Sequence, residues 1–174
     1  MVWTASTSNL SNLAAPQFKL VFHKLPKTVF RCQSVNVPGL NLSEIEQPSP
    51  TQMIPIPGDA LTYDELNISF VVDEDLANWR EIQEWIIGLG FPNSTDEYKA
   101  LKATDTTRTK FGGLYSDATV ISLTNNSLAN KQFIYRNCFP ISLTGIDFDS
   151  GDTEIGPIIS DASFRFMQYT IESL

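Results

Sequence analysis

IPIPGDALTYDELNISFVVDEDLANWREIQEW, residues 54–85, is the stretch on which the reading of the chain turns. Pro57-Gly58 supplies turn chemistry ahead of a strand. In LTYDELNISFVV (61–72), Leu66, Ile68 and Phe70 alternate with Asn67 and Ser69, the two-residue period of a strand with one face in a core. Asp73 then reads as a helix N-cap, with Glu74 and Asp75 in the first turn, where acids complement the helix dipole. Leu76, Trp79, Ile82, Trp85, Ile86 and Leu89 recur at three-to-four spacing, one apolar stripe on a helix of about four turns. Gly88 or Gly90 ends that helix and Pro92 prevents its continuation. Few of these positions suit chemistry and most suit shape, so the product of the chain reads as a surface that packs against copies of itself.

Working outward, QFKLVFHK (17–24) alternates, with Phe18, Leu20 and Phe22 on one face. Leu25-Pro26-Lys27 breaks that strand, and TVFRCQSVNV (28–37) reads as its hairpin partner, closed by Pro38-Gly39. Five of the chain's 10 prolines fall between Pro38 and Pro57, in a segment that also carries Leu40, Leu42, Ile45, Met53, Ile54 and Ile56. Proline removes backbone donors, which confines it to sheet edges and extended arms. The segment is therefore an edge strand covered by its own domain or an arm laid on a neighbouring subunit. Residues 91–113 are polar and lose periodicity, which predicts a loop with a short helical turn in DEYKALKA. The remainder reads as strands: 117–125, 131–149 interrupted by Pro140, and a closing strand over 161–171. The expectation is a mainly β fold, a two-sheet antiparallel β-sandwich or barrel with one flanking α-helix. Its parts are a polar N-terminal arm (1–16) and a single domain (17–174) with a Pro-rich arm at 38–60 and a loop insertion at 91–113.

With 174 residues, 42% of them hydrophobic, the chain is long enough for one domain with a real core. Its 20 acidic residues against 12 basic ones give a net charge of -8, the reverse of the basic stripe by which proteins grip nucleic acid. The N-terminus lacks the basic start and apolar core of a signal peptide, and no apolar run reaches the roughly 20 residues that span a bilayer. No membrane insertion is expected.

Each candidate for chemistry has a plainer explanation. Asp73-Glu74-Asp75 could form a metal site, but capping accounts for it, and the spacing of an EF-hand is absent. Asp147, Asp149 and Asp152 surround Ser150-Gly151 in DFDSGD, ordinary turn residues. His23, the only histidine, has no nucleophile motif beside it. Cys32 and Cys138 sit in strand-like apolar contexts, as buried free thiols do, and no CxxC pair is present. Gly112-Gly113 lacks the GK[ST] of a phosphate loop. Trp79 and Trp85 could stack a sugar or base, but they lie on the helix stripe and are expected in the core. No catalytic residue, cofactor or metal is expected. A glycan-binding sandwich and a metal-dependent hydrolase stand as rivals to the assembly reading.

The order FRCQSVNVPGL, a Pro-rich crossing, and then the 54–85 stretch resembles the tail tube proteins of T4-like contractile-tailed bacteriophages and their relatives in the baseplate and at the tube ends. The shared features are a Phe-x-x-Gln strand (Phe30 to Gln33), a Pro-containing turn (Val37-Pro38-Gly39) and a Gly-Asp turn (Gly58-Asp59). An Asp-Glu corner (Asp73-Glu74) leading into a helix with Trp85, and CFPISLTGIDFD followed by SFRFMQYTI, complete them, so the resemblance runs from about Phe18 to Ile171. It implies a non-enzymatic virion protein of a contractile tail. Hexameric rings would close a continuous inner β-barrel and stack into a tube that conducts DNA without binding it. The implied partners are the chain itself, the tail sheath, and baseplate and tube-end proteins. The implied locations are the virion tail and, during assembly, the host cytoplasm. Tube initiator, terminator and baseplate hub are alternative positions. If the Pro-rich segment is an arm laid on a neighbouring subunit, Leu40, Leu42, Ile45, Met53, Ile54 and Ile56 form the assembly arm. Leu76, Trp79, Ile82, Trp85 and Ile86 form the core face of the helix, and Asn67, Ser69, Asp147 and Asp149 are candidate lumen residues.

Overall fold

The structure, a computed structural model, describes residues 18–92, 94–103, 112–124, 127–148 and 156–174. The polar segment 1–16 lies outside them. Among the described residues nine strands run β1 (Phe18–Phe22), β2 (Cys32–Val35), β3 (Leu40–Pro48), β4 (Met53–Tyr63), β5 (Leu66–Val71), β6 (Ser116–Leu123), β7 (Ala129–Leu143), β8 (Ile159–Arg165) and β9 (Gln168–Ser173). The helices are α1 (Pro26–Phe30), α2 (Ala77–Gly90) and α3 (Thr95–Ala103), with a 3-10 turn at Gly112–Leu114.

Seven strands make one bent antiparallel sheet in the order β1-β6-β7-β8-β5-β2, with β9 added to β7. The 15-residue β7 makes the bend. Its first part pairs with β6 and β9, and Phe139–Leu143 pair with β8. Between the two parts Asn137 takes a left-handed φ of 55° where the register with β6 slips. Asparagine tolerates that conformation better than most residues, and the Asp117 carboxylate accepts its backbone N–H at 2.9 Å. The sheet therefore folds over itself. Phe22 of β1 meets Phe164 of β8 with ring centroids 5.1 Å apart, and Trp85 of α2 closes the open side 6.0 Å from Phe22 and 6.2 Å from Phe164.

Several expectations change here. β1 does not form a hairpin with β2; it pairs with β6, and β2 pairs with β5. Residues 26–30 are helical, because Pro26 occupies the first turn of α1, where its missing N–H leaves no gap. Phe30 consequently ends a helix instead of lying in a strand. The span 61–72 is divided at Asp64-Glu65, and its first part belongs to the separate β3–β4 hairpin. Residues 161–171 form parts of two strands, because the Met167 N–H donates to the Arg136 carbonyl at 3.0 Å and turns the chain from β8 onto β9. Pro140 does not interrupt β7; it sits opposite Phe164 beside a register irregularity, the position at which a sheet tolerates proline. In the 91–113 segment, Thr95–Ala103 is a helix with Asp96 and Glu97 in its first turn and Lys102 in its last.

Candidate assembly and conduit surfaces

The strands β2, β5, β8 and the final part of β7 lie side by side. One face carries the core side chains Ile68, Phe70, Ala162 and Phe164. Strand alternation sends the intervening residues to the opposite face. Two rows cross that face: Ser34–Ser69–Asp161, and Asn67–Ser163–Ser142. Ser163 Oγ donates to Asn67 Oδ1 at 2.6 Å, and the Ser69 hydroxyl donates to the Asp161 carboxylate. Asn36 continues the edge, its Oδ1 accepting the Asn67 N–H at 2.7 Å. Five of these six row residues are uncharged and small. Arg165 and Glu65 pair at 3.5 Å at one end of the sheet, and Arg31 and Asp73 at 2.6 Å at the other.

The structure thus brings Asn67 and Ser69 together. It does not join Asp147 to them, because Asp147 lies exposed beyond the end of β7. Asp149 lies outside the described residues. Ser34, Ser142, Asp161 and Ser163 belong to the same face and were missed. The polar alternation in ISDASFR signals Asp161 and Ser163.

The six candidate arm residues all lie on the β3–β4 hairpin, and all are exposed. The arm is not an edge strand covered by its own domain; it is a two-stranded sheet of its own. At its base the Gly39 carbonyl accepts the Asp64 N–H at 3.1 Å, and Tyr63 packs 5.4 Å from Phe166 and 5.7 Å from Tyr169. Midway along, Gly58 faces Ser43 where the register slips. A Cβ there would lie 2.9 Å from the Ser43 carbonyl oxygen, so the close crossing requires glycine. Glu46 and Glu44 face Pro55 and Pro57, so the prolines stand in an edge pairing far from the main sheet.

The deepest line of α2 is Asn78, Ile82, Trp85 and Gly88. Trp79 and Ile86 are half-buried beside it. Leu76 is not on the core face: it precedes the helix at φ 54° and is 37% exposed. Nor does Asp73 cap the helix. It forms the turn before it, its carbonyl accepting the Leu76 N–H at 2.9 Å, and the first helical turn holds no acid. The residue that fixes this corner is the buried Asn78. Its Oδ1 accepts N–H groups from Asp73 at 3.1 Å and Trp79 at 2.8 Å, and its Nδ2 donates to the Val71 carbonyl at 2.7 Å.

An apolar groove of 440 Å³ between α2, α3 and β7 is lined by residues such as Ile86, Leu89, Tyr98 and Phe139, with no histidine, cysteine or carboxylate in its lining. Burial pushes the Cys138 thiol up to about 12 and the half-buried Cys32 thiol up to about 11, the opposite of an activated nucleophile. His23 is exposed. Among the described residues no group of three or more His, Cys, Asp or Glu could hold a metal ion, and no helix is long and apolar enough to cross a membrane.

The bent antiparallel sheet, closed by one helix and extended by a long hairpin, recurs in chains of contractile injection systems. It superimposes on a chain of the anti-feeding prophage baseplate with a TM-score of 0.62 at 12% identity, covering 93% of this chain and 96% of that one. A chain of the sheath-tube complex of the extracellular contractile injection system PVC gives a TM-score of 0.55 at 15% identity, covering 98% and 100%. A chain of the anti-feeding prophage tube-terminating cap gives 0.55 at 16% identity, also covering 98% and 100%. No curated protein matches the chain by sequence. The family description "phage tail tube protein" matches residues 7–172, and the chain belongs to that family.

Proposed function

We propose that this chain is a non-enzymatic structural protein of a contractile tail, built from copies of itself in rings that stack into the inner tube. The observation that carries the reading is the face formed by Ser34, Ser69, Asp161, Asn67, Ser163 and Ser142, on a four-stranded layer that is open at both ends. Among the described residues β2 pairs only with β5, and the final part of β7 pairs only with β8. Open edges of this kind are templates for strand addition. Continuing the layer from copy to copy closes a barrel, six copies by the family's pattern, with the polar face inward. Duplex DNA carries one negative charge per roughly 1.7 Å of axis. The wall is mostly serine and asparagine, and its flanking Arg165 and Arg31 are each paired with a carboxylate, Glu65 and Asp73, so it offers the duplex little unbalanced positive charge and lets it slide. Sheath, baseplate and tube-end proteins are the neighbours, and the assembled particle is the virion tail, put together in the host cytoplasm.

The second reading places the chain at an end of the tube or in the baseplate, and it is supported by the similarity to baseplate and cap chains. Negative-stain images of the purified chain test both. Stacked rings of open-ended length with a central channel support the main tube. Single rings that do not stack support the end position. A monomer at high concentration overturns both. Removing residues 44–57 and joining Ser43 to Gly58 shortens the hairpin in register; the product should be a folded chain that no longer forms tubes.

A further inference from the structure

The helix α2 lies between α1 and the end of β7. On one flank the Thr28 hydroxyl of α1 donates to the Asn78 carbonyl at 3.2 Å. On the other the Trp79 indole N–H donates to the Thr144 carbonyl, just beyond β7, at 3.1 Å. The two flanks differ in shape. On the α1 flank Phe30 is 88% exposed, the most exposed large apolar side chain among the described residues. On the β7 flank a cleft of 270 Å³ is lined by Trp79, Gln83, Ile86, Ile87 and residues 141–143, with Ile87 37% and Ile141 39% exposed. One flank carries an apolar knob and the other an apolar hollow, and covering both removes apolar surface from water.

The knob and the hollow stand at the two open edges of the polar layer. Phe30 ends α1, two residues before β2, and the cleft borders the final part of β7. The neighbours β2, β5, β8 and β7 are successively antiparallel, so β2 and β7 run in opposite directions. A copy related by rotation about a ring axis therefore brings its β7 antiparallel to this β2. Continuing the row Val35–Ile68–Ala162–Leu143 into that copy sets its Leu143 beside Val35. The start of β2 then lies at the Thr144 end of the copy's β7, the end where Trp79 borders the cleft. Unlike surfaces that meet head to tail close into a ring.

We propose that Phe30 of each copy seats in the α2–β7 cleft of the next, against Trp79, Ile86, Ile87 and Leu143. The inference rests on the strand-addition reading above and adds to it a side-chain contact that selects the register. Backbone pairing along two open edges tolerates slips; a ring held in a cleft accepts one alignment.

Crosslinking and paired substitutions test the contact. A p-benzoylphenylalanine in place of Phe30 keeps an aromatic group at an exposed position. In assemblies mixed from that variant and isotopically labelled wild-type chain, irradiation should join residue 30 to labelled peptides holding residues 79–87 or 141–143. Phe30→Ala and Ile87→Ala should each lower the assembled fraction in sedimentation velocity about tenfold. The double variant should lose no more than either single one, because both remove the same contact. Circular dichroism should match the wild type in each case. Failure of the wild-type chain to assemble overturns the self-assembly reading and this contact with it. Assembly with crosslinks elsewhere or confined to one copy, or additive losses of about a hundredfold, overturns the Phe30 contact alone and leaves strand addition standing.

Discussion

Ser163 and Asn67 sit directly opposite each other on β8 and β5, the hydroxyl donating to the amide oxygen at 2.6 Å. The bond is a side-chain crosslink on the face turned away from the core. With the Ser69–Asp161 bond beside it, it crosslinks a polar surface at whose end Arg165 and Glu65 pair.

Asn67→Lys with Ser69→Lys should convert that wall into a phosphate-binding one. Assembly should be unchanged, since both side chains point away from the core. DNA passage should slow at low salt and recover as salt rises, with a slope of about -0.9 in log affinity per phosphate contacted. Release rate from assembled particles against salt is the measurement. An unaltered rate at low salt places these residues away from the conduit.

Trp85→Ala should destabilise the fold by about 3–5 kcal/mol, the range for emptying an aromatic site in a core. The indole contacts Phe22 and Phe164, lies under the Lys24 ammonium 4.4 Å from its centroid, and donates to the Leu114 carbonyl at 3.2 Å. Trp79→Ala should cost less, because Trp79 is only half-buried and donates to Thr144 at the surface. Denaturant midpoints of the two variants give the comparison, and equal losses would contradict the packing described.

Asn78→Leu should cost about 2–4 kcal/mol, although leucine has a similar size and a higher helix propensity. It removes three hydrogen bonds and leaves the Val71 carbonyl and the Asp73 N–H to find new partners in a buried corner. Chemical denaturation checks the figure, and a gain in stability would show that the corner does not need the amide.

Alkaline pH should weaken the fold from about pH 9 upward. Burial, helped by Asp117, raises the Cys138 thiol from 9.0 to about 12, and burial raises Cys32 to about 11. Burial also raises the Tyr135 phenol, helped by Tyr169 and Cys138. Between the unfolded and folded values the unfolded chain has lost a proton that the folded chain keeps, so stability falls as pH rises through that window. Cys138→Ala should show a shallower loss between pH 9 and pH 11 in denaturation midpoints. An identical slope would mean the thiol ionises as readily in the folded chain.

Local pattern carried a good part of this protein. The alternation of Leu66, Ile68 and Phe70, the helix stripe through Ile82 and Trp85, and the stop at Gly90-Phe91-Pro92 all depend on neighbours within a few residues, and the structure has a strand and a helix there. The ordered series of turns and corners from Phe30 to Trp85 was enough to suggest the family. Partnership was beyond the sequence, because strand pairing is decided by residues far apart. β1 pairs with a strand about a hundred residues away instead of with its neighbour, and β7 divides its pairing among three strands. The acidic corner misled for a similar reason: Asp73 pairs with Arg31, at the end of α1, and the buried Asn78 fills the corner, contacts that local sequence does not show. The two rows of the polar face join residues from β2, β5, β7 and β8, whose alternation is visible one strand at a time but whose alignment exists only once the registers are set. The change of apolar face along the hairpin, from Leu40 and Leu42 to Ile45, follows from residue order alone, whereas the pairing of β3 with β4 across the slip at Ser43 and Gly58 exists only once the cross-strand register is set.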